Sequence, residues 1–255
     1  MEAFEMGNIM KKFLVLFLLF FASFTANAYE DISFPSQDGL KMDAFLSTDH
    51  NRSKPFILLF HQAHYSRGEY IEIIPKLNAL GFNVMAPDLR NGNEVNGVVN
   101  ETSDRAFEKD LDINYIATVP DIEAAIAYAK KHLASGKLLL WGSSYSASLV
   151  LLVADYTPGI DAVLAFAPGE YYKKQGETYI QDHVSHLNMP VFITSAKDEK
   201  KNWWPIYQAI PSKEKVYYLP TSKGVHGAKA LWDNNPGNQK YWESVNKFLN
   251  NFSER

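Results

Sequence analysis

Short runs of apolar residues punctuate this chain, and the segments between them carry apolar positions three and four apart. The runs at 56–60, 83–86, 137–141, 162–166, 191–194 and 216–219 lack polar alternation, the pattern of strands covered on both faces. Ahead of them, 31–34 and 40–47 flank Ser36-Gln37-Asp38-Gly39, and apolar segments around such a turn read as an antiparallel hairpin. Helical spacing appears at 69–80 ending at Gly81, 119–133 ending near Gly136, 145–155 ending before Pro158, and 240–252. Strands alternating with helices predict one α/β domain, a mostly parallel sheet with helices on both faces, whose chemistry collects at the carboxyl ends of the strands.

The N-terminus has a different pattern. Lys11 and Lys12 precede an unbroken apolar run over 13–22, and Ala26-Asn27-Ala28 follows. A basic start, a short apolar stretch and a small-x-small site make up a secretory signal peptide, and the run is too short for the roughly 20 residues that a membrane span needs. The expected division is a signal peptide over 1–28, cleaved after Ala28, and a single domain over 29–255. The mature protein is then secreted or periplasmic and keeps no stable membrane anchor.

Composition narrows the chemistry. Twenty-five basic and 29 acidic side chains give a net charge of -4, with no basic footprint for nucleic acid. The chain contains no cysteine, which excludes disulfides, thiolate zinc sites, iron–sulfur clusters and a cysteine nucleophile.

One strand–turn–helix junction has the pattern of a catalytic motif. Gly142-Ser143-Ser144-Tyr145-Ser146 follows the strand at 137–141, and a helical stretch starts at once. In a G-x-S-x-G elbow the nucleophilic serine sits in a tight turn whose flanking positions must be small. Centring the pattern on Ser144 puts Gly142 and Ser146 at those positions, whereas centring it on Ser143 would put Trp141 there. Serine in place of the final glycine is a departure.

A serine hydroxyl needs an imidazole to take its proton and a carboxylate to orient that imidazole. His226 lies in a glycine-flanked loop after the strand at 216–219, while His183 and His186 read as surface residues of a helix before Pro190. The acid belongs in the loop after 191–194. Asp198 falls at the strand end, with Glu199 the substitute one residue on. Oxyanion donors are expected from the backbone N–H groups of Tyr145 and Ala63, with Gln62 a neighbouring alternative. His61-Gln62-Ala63-His64 lacks the acidic partner of a zinc motif, so His61 reads as structural and no metal site is expected. Tyr65, Tyr145, Tyr171, Tyr172, Trp203 and Trp204 could line an apolar cleft or pack loops onto the sheet. The polar stretch 91–114 is either a flap or a surface loop.

Three stretches resemble the α/β-hydrolase superfamily, and most of all its small dienelactone-hydrolase-like esterases: His61-Gln62-Ala63-His64-Tyr65-Ser66-Arg67-Gly68-Glu69-Tyr70, Ala86-Pro87-Asp88-Leu89-Arg90-Asn91-Gly92, and the elbow. The resemblance implies an eight-stranded fold and a Ser144, Asp198, His226 triad, while the segment from Phe166 to Pro190 is too short for a large lid domain. Dienelactone hydrolases proper use a cysteine, so their substrate does not carry over, and His61-Gln62 stands where the oxyanion loop of the superfamily has His-Gly. The expected activity is hydrolysis of a small-molecule carboxylic ester through an acyl-enzyme on Ser144, with no cofactor. An amidase or peptidase with the same triad is the enzymatic alternative. A catalytically silent binding protein of the same fold is the other, motivated by Ser146 and Gln62 at positions where glycine is usual.

Overall fold

The computed structural model describes residues 29–253, so the expected signal peptide over 1–28 lies outside the described residues. Eight strands form one sheet: β1 (Glu30–Pro35), β2 (Lys41–Ser47), β3 (Phe56–Phe60), β4 (Asn83–Pro87), β5 (Leu138–Ser143), β6 (Ala162–Phe166), β7 (Val191–Thr194) and β8 (Lys215–Tyr218). Their order is β1-β2-β4-β3-β5-β6-β7-β8. The hairpin β1–β2 and the pairing of β2 with β4 are antiparallel, and every other pairing is parallel.

The apolar runs are explained by a core on each side of the sheet. Phe56, Leu58 and Phe60 of β3 point into one layer, and Ile57 and Leu59 into the other. In β5, Leu140 and Trp141 separate in the same way. Successive strand residues face opposite sides, so a strand covered twice must be apolar at every position. The first layer is closed by α3 (Val119–Tyr128), α4 (Tyr145–Tyr156) and α6 (Lys200–Ala209), the second by α1 (Ile74–Ala79) and α7 (Asn238–Leu249).

Local differences from the sequence expectation have local causes. The helix expected over 69–80 is divided into a 3₁₀ turn, Arg67–Tyr70, and α1, because Pro75 in the first turn of α1 has no N–H to continue a helix through it. The stretch 91–114 contains α2 (Glu101–Glu108), whose first turn is capped by Asn100 Oδ1 accepting from the Ser103 N–H at 2.8 Å. Thr102 Oγ1 accepts the Asp43 N–H at 3.0 Å and Arg105 pairs with Asp43, so this element is packed on β2. Between β6 and β7 stands only α5 (Tyr179–Asp182). His183 and His186 therefore lie beyond a helix rather than on one, and among the described residues no large lid domain covers the strand ends.

Candidate active site

The strand ends of β3, β5 and β7 open on one rim of the sheet. At the end of β5 the chain turns through Ser144 at φ 59° and ψ −120° and enters α4. A positive φ is rare for a residue with a side chain and costs on the order of 1–3 kcal/mol. The turn is pinned by the Ser144 N–H donating to Phe166 O at 2.7 Å. Gly142 is required by crowding, since a Cβ there would lie 2.4 Å from Ser146 O and 2.6 Å from Ala147 Cα.

The Ser144 hydroxyl, with the residue 9% exposed, lies 2.8 Å from His226 Nε2. On the other side of the ring, Nδ1 lies 2.5 Å from Glu199 Oε1. An ionised carboxylate only accepts, so Nδ1 carries the ring proton and Nε2 is left free to accept from the serine. Glu199 Oε2 accepts the Ala196 N–H at 3.0 Å, which fixes the carboxylate from behind.

The structure thus brings Ser144 and His226 together and corrects the acid. Asp198 is exposed and does not meet the imidazole; Glu199 does. After β7 the chain tightens into a 3₁₀ turn, Lys197–Glu199. At three residues per turn, adjacent side chains point about 120° apart, and here the outward position is 198 and the inward one 199. The acid loop and the histidine loop are joined by the Lys197 N–H donating to Lys223 O at 2.9 Å.

The loop after β3 supplies the opposite wall. His61 is fully buried, accepts the Leu89 N–H on Nε2 at 2.9 Å and donates from Nδ1 to Gln62 O at 2.8 Å. Burial pushes its imidazole down to about 4, so it is a neutral structural residue. The Gln62 N–H is committed to Glu69 Oε2 at 2.8 Å, which removes Gln62 as an oxyanion donor. Ala63 is half-buried at the end of this loop, and Tyr145 provides the first N–H of α4, a position without an intrahelical acceptor.

Of the aromatic candidates, Tyr145, Tyr172 and Trp203 are buried in the core, Tyr65 stacks on Trp232, and Trp204 packs within α6. Tyr171 and Tyr172 are the two of the six that line a cleft near the elbow. That cleft has a volume of about 540 Å³ and is walled by Asn91, Asn114, Tyr115, Ile116, Tyr171 and Lys173 among others. The Tyr171 phenol donates to Ala167 O at 2.9 Å and adjoins the Ser144 hydroxyl; burial pushes it up to about 12. Tyr115, which sequence reading passed over, stacks on Tyr145 at 4.6 Å. Its signal was its place just ahead of the helix at 119–133, at the mouth of the cleft.

Comparisons with known proteins agree with this architecture. Residues 42–202 match the dienelactone hydrolase family. No curated protein matches the sequence. Among solved structures, the Pyrococcus furiosus esterase Pf2001 superposes with a TM-score of 0.69 at 15% identity, covering 88% of this chain and 92% of that one. Est1E from Butyrivibrio proteoclasticus, solved with ferulic acid bound, gives 0.67 at 15% identity over 87% and 98% of the two chains. A dienelactone hydrolase homologue from Klebsiella pneumoniae gives 0.65 at 15% identity over 87% and 98%. At such identities the structures speak for the fold, while the match over 42–202 speaks for kinship: this chain belongs to the dienelactone hydrolase family of α/β-hydrolases.

Proposed function

We propose that the protein is an exported serine hydrolase that cleaves carboxylic esters. The observation that carries this reading is the continuous chain of hydroxyl, imidazole and carboxylate, 2.8 and 2.5 Å between partners, with the hydroxyl on a backbone turn at φ 59°. In the reaction, His226 Nε2 takes the proton as Ser144 Oγ attacks the ester carbonyl, and Glu199 holds the ring in the accepting tautomer and stabilises the imidazolium. The developing oxyanion is received by the N–H groups of Tyr145 and Ala63. The imidazolium then protonates the departing alcohol, and water, deprotonated by the same imidazole, hydrolyses the acyl-enzyme. Tyr171, which adjoins the Ser144 hydroxyl, shares with Tyr115 and Ile116 a cleft that offers an apolar wall for part of the ester. Export rests on the signal-like N-terminus, residues 11–28.

Turnover of a panel of p-nitrophenyl esters against peptide anilides tests the reading. Ester hydrolysis that Ser144→Ala abolishes is expected. Selective cleavage of the anilides would replace the esterase with an amidase, and inertness of the folded protein toward both would refute the hydrolase.

A further inference from the structure

Beneath the three reacting side chains lies a carboxyl group that the mechanism above does not use. Glu69 is fully buried in the 3₁₀ turn Arg67–Tyr70. Each of its oxygens is committed to a different loop of the site: Oε2 accepts the Gln62 N–H at 2.8 Å, and Oε1 accepts the Ser143 hydroxyl at 2.7 Å. Ser143 Oγ in turn accepts the Ala228 N–H at 2.8 Å, two residues beyond His226. Space at this junction is so short that a Cβ on Gly227 would lie 2.7 Å from Ser143 Oγ and 2.8 Å from Gln62 Oε1. The turn itself is anchored, because Trp232 Nε1–H donates to Glu69 O at 2.8 Å and the Tyr70 hydroxyl donates to Phe60 O at 2.6 Å.

This placement is costly. Burial pushes the Glu69 carboxyl up to about 7, against the pull of its two hydrogen bonds and of His226 and Lys229. A buried carboxylate adds little to stability compared with an apolar residue of similar volume, so the return is to be sought in what its bonds hold. Its neighbours along the chain are telling: Gln62 precedes Ala63, Ser143 precedes Ser144, and Ala228 closes the loop that carries His226. The charged and titratable groups facing it are His226 and Lys229 from the histidine loop, Tyr70 from its own turn and Tyr145 from α4.

We infer that Glu69 is a positioning residue for the reaction, the single group that sets the oxyanion loop, the nucleophile and the general base in register with one another. The inference rests on the hydrolase reading. Glutamine is a poor substitute, since only one of the two oxygens survives: an amide NH2 toward the Gln62 N–H sets two donors face to face, and toward Ser143 it forces that hydroxyl to turn from donor to acceptor. Displacements of about 1 Å at reacting groups cost on the order of 100-fold in rate.

The test compares wild type, Glu69→Gln, Glu69→Asp and Ser143→Ala on one p-nitrophenyl ester, with reactive sites counted by fluorophosphonate titration. For Glu69→Gln, kcat per reactive site is expected to fall about 10- to 100-fold with KM nearly unchanged. Glu69→Asp keeps both acceptor oxygens and is expected to recover part of the lost kcat. Unchanged kcat per site, with only a lower melting temperature, would reduce Glu69 to a structural residue and overturn the inference. If Glu69→Gln does not fold, Ser143→Ala decides by the same kcat criterion, since it cuts the link to the histidine loop and leaves Glu69 bonded to Gln62. A wild type that neither turns over nor takes the label sinks the hydrolase reading, and the inference with it; an active wild type with an unimpaired Glu69→Gln sinks the inference alone.

Discussion

The Ser146 hydroxyl accepts the Ser143 N–H at 2.9 Å and donates to Phe60 O at 2.7 Å. Serine at the last position of the elbow therefore ties the turn to β3, a bond that glycine could not make, and the departure from the glycine pattern is compensated by it. The acid is the other residue-scale matter. Glu199→Gln should lower kcat by roughly 10³–10⁴-fold, the size seen when a triad carboxylate becomes an amide and the imidazole loses its tautomer, whereas Asp198→Asn should stay close to wild type. Steady-state kinetics of the two variants decides it: equal losses, or a larger loss at 198, would contradict the geometry. Ser144 and His226 were legible because small residues and strand ends flank them. The choice between two adjacent carboxylates was not, because it depends on how tightly the chain turns after β7, and no residue type signals that. Glu69 was equally silent, since an acid at the start of a helical stretch reads as an ordinary first-turn residue.

Among the elements, the strands were legible wherever the sheet is covered twice, because β3 and β6 are apolar at every position. Helices were legible where one face is apolar. α2 has no such face: Thr102, Ser103 and Ala106 are its buried residues, and caps and ion pairs from Asn100, Thr102 and Arg105 hold it. α6 carries Pro205 in its interior, and the burial of Trp203 and Ile206 holds the helix despite it. The connection of elements near the site depends on one buried ion pair. Asp121 of α3 accepts from Arg90 Nε at 3.0 Å, from Arg90 Nη2 at 2.6 Å, from the Arg90 N–H at 3.0 Å and from Ser36 Oγ at 2.8 Å. This joins the β1–β2 turn, the loop after β4 and α3. Asp121→Asn should destabilise the fold by about 3 kcal/mol, the lower end for a broken buried pair, because Asp38 at 2.9 Å still partners Arg90. Urea unfolding measures it, and a midpoint unchanged from wild type would show the junction to be dispensable.

Over the whole molecule, the fold class and the strands followed from the alternation of short apolar runs with helical stretches, which leaves few ways to bury both faces of a sheet, and the lack of a large lid followed from the short segment between Phe166 and Pro190. The stretches that carry the family resemblance turn out to hold one another. Arg67 of the first pairs with Asp88 of the second, and the Arg67 N–H donates to Asp88 Oδ1 at 2.6 Å. His61 from the first accepts from Leu89 in the second, and this neutral imidazole gives the molecule a pH dependence. Its folded value near 4 lies below the ordinary 6.5, so the unfolded chain binds a proton that the folded one refuses between those limits. The stability it contributes is complete above pH 6.5 and is lost as pH falls toward 4, on the order of 3 kcal/mol in all. Glu69, raised to about 7, works in the opposite sense and contributes most below pH 4.5. Melting temperatures of wild type and His61→Asn should therefore converge as pH falls from 6.5 to 4; a gap that stays constant would mean that His61 titrates normally.

The geometry at this rim of the sheet predicts one activated hydroxyl. Intact-mass and peptide mapping after treatment with a fluorophosphonate tests it directly. A single adduct on Ser144, absent from Ser144→Ala and slowed in Glu199→Gln, is the predicted result; a folded protein left unmodified, or an adduct on any other residue, would contradict it.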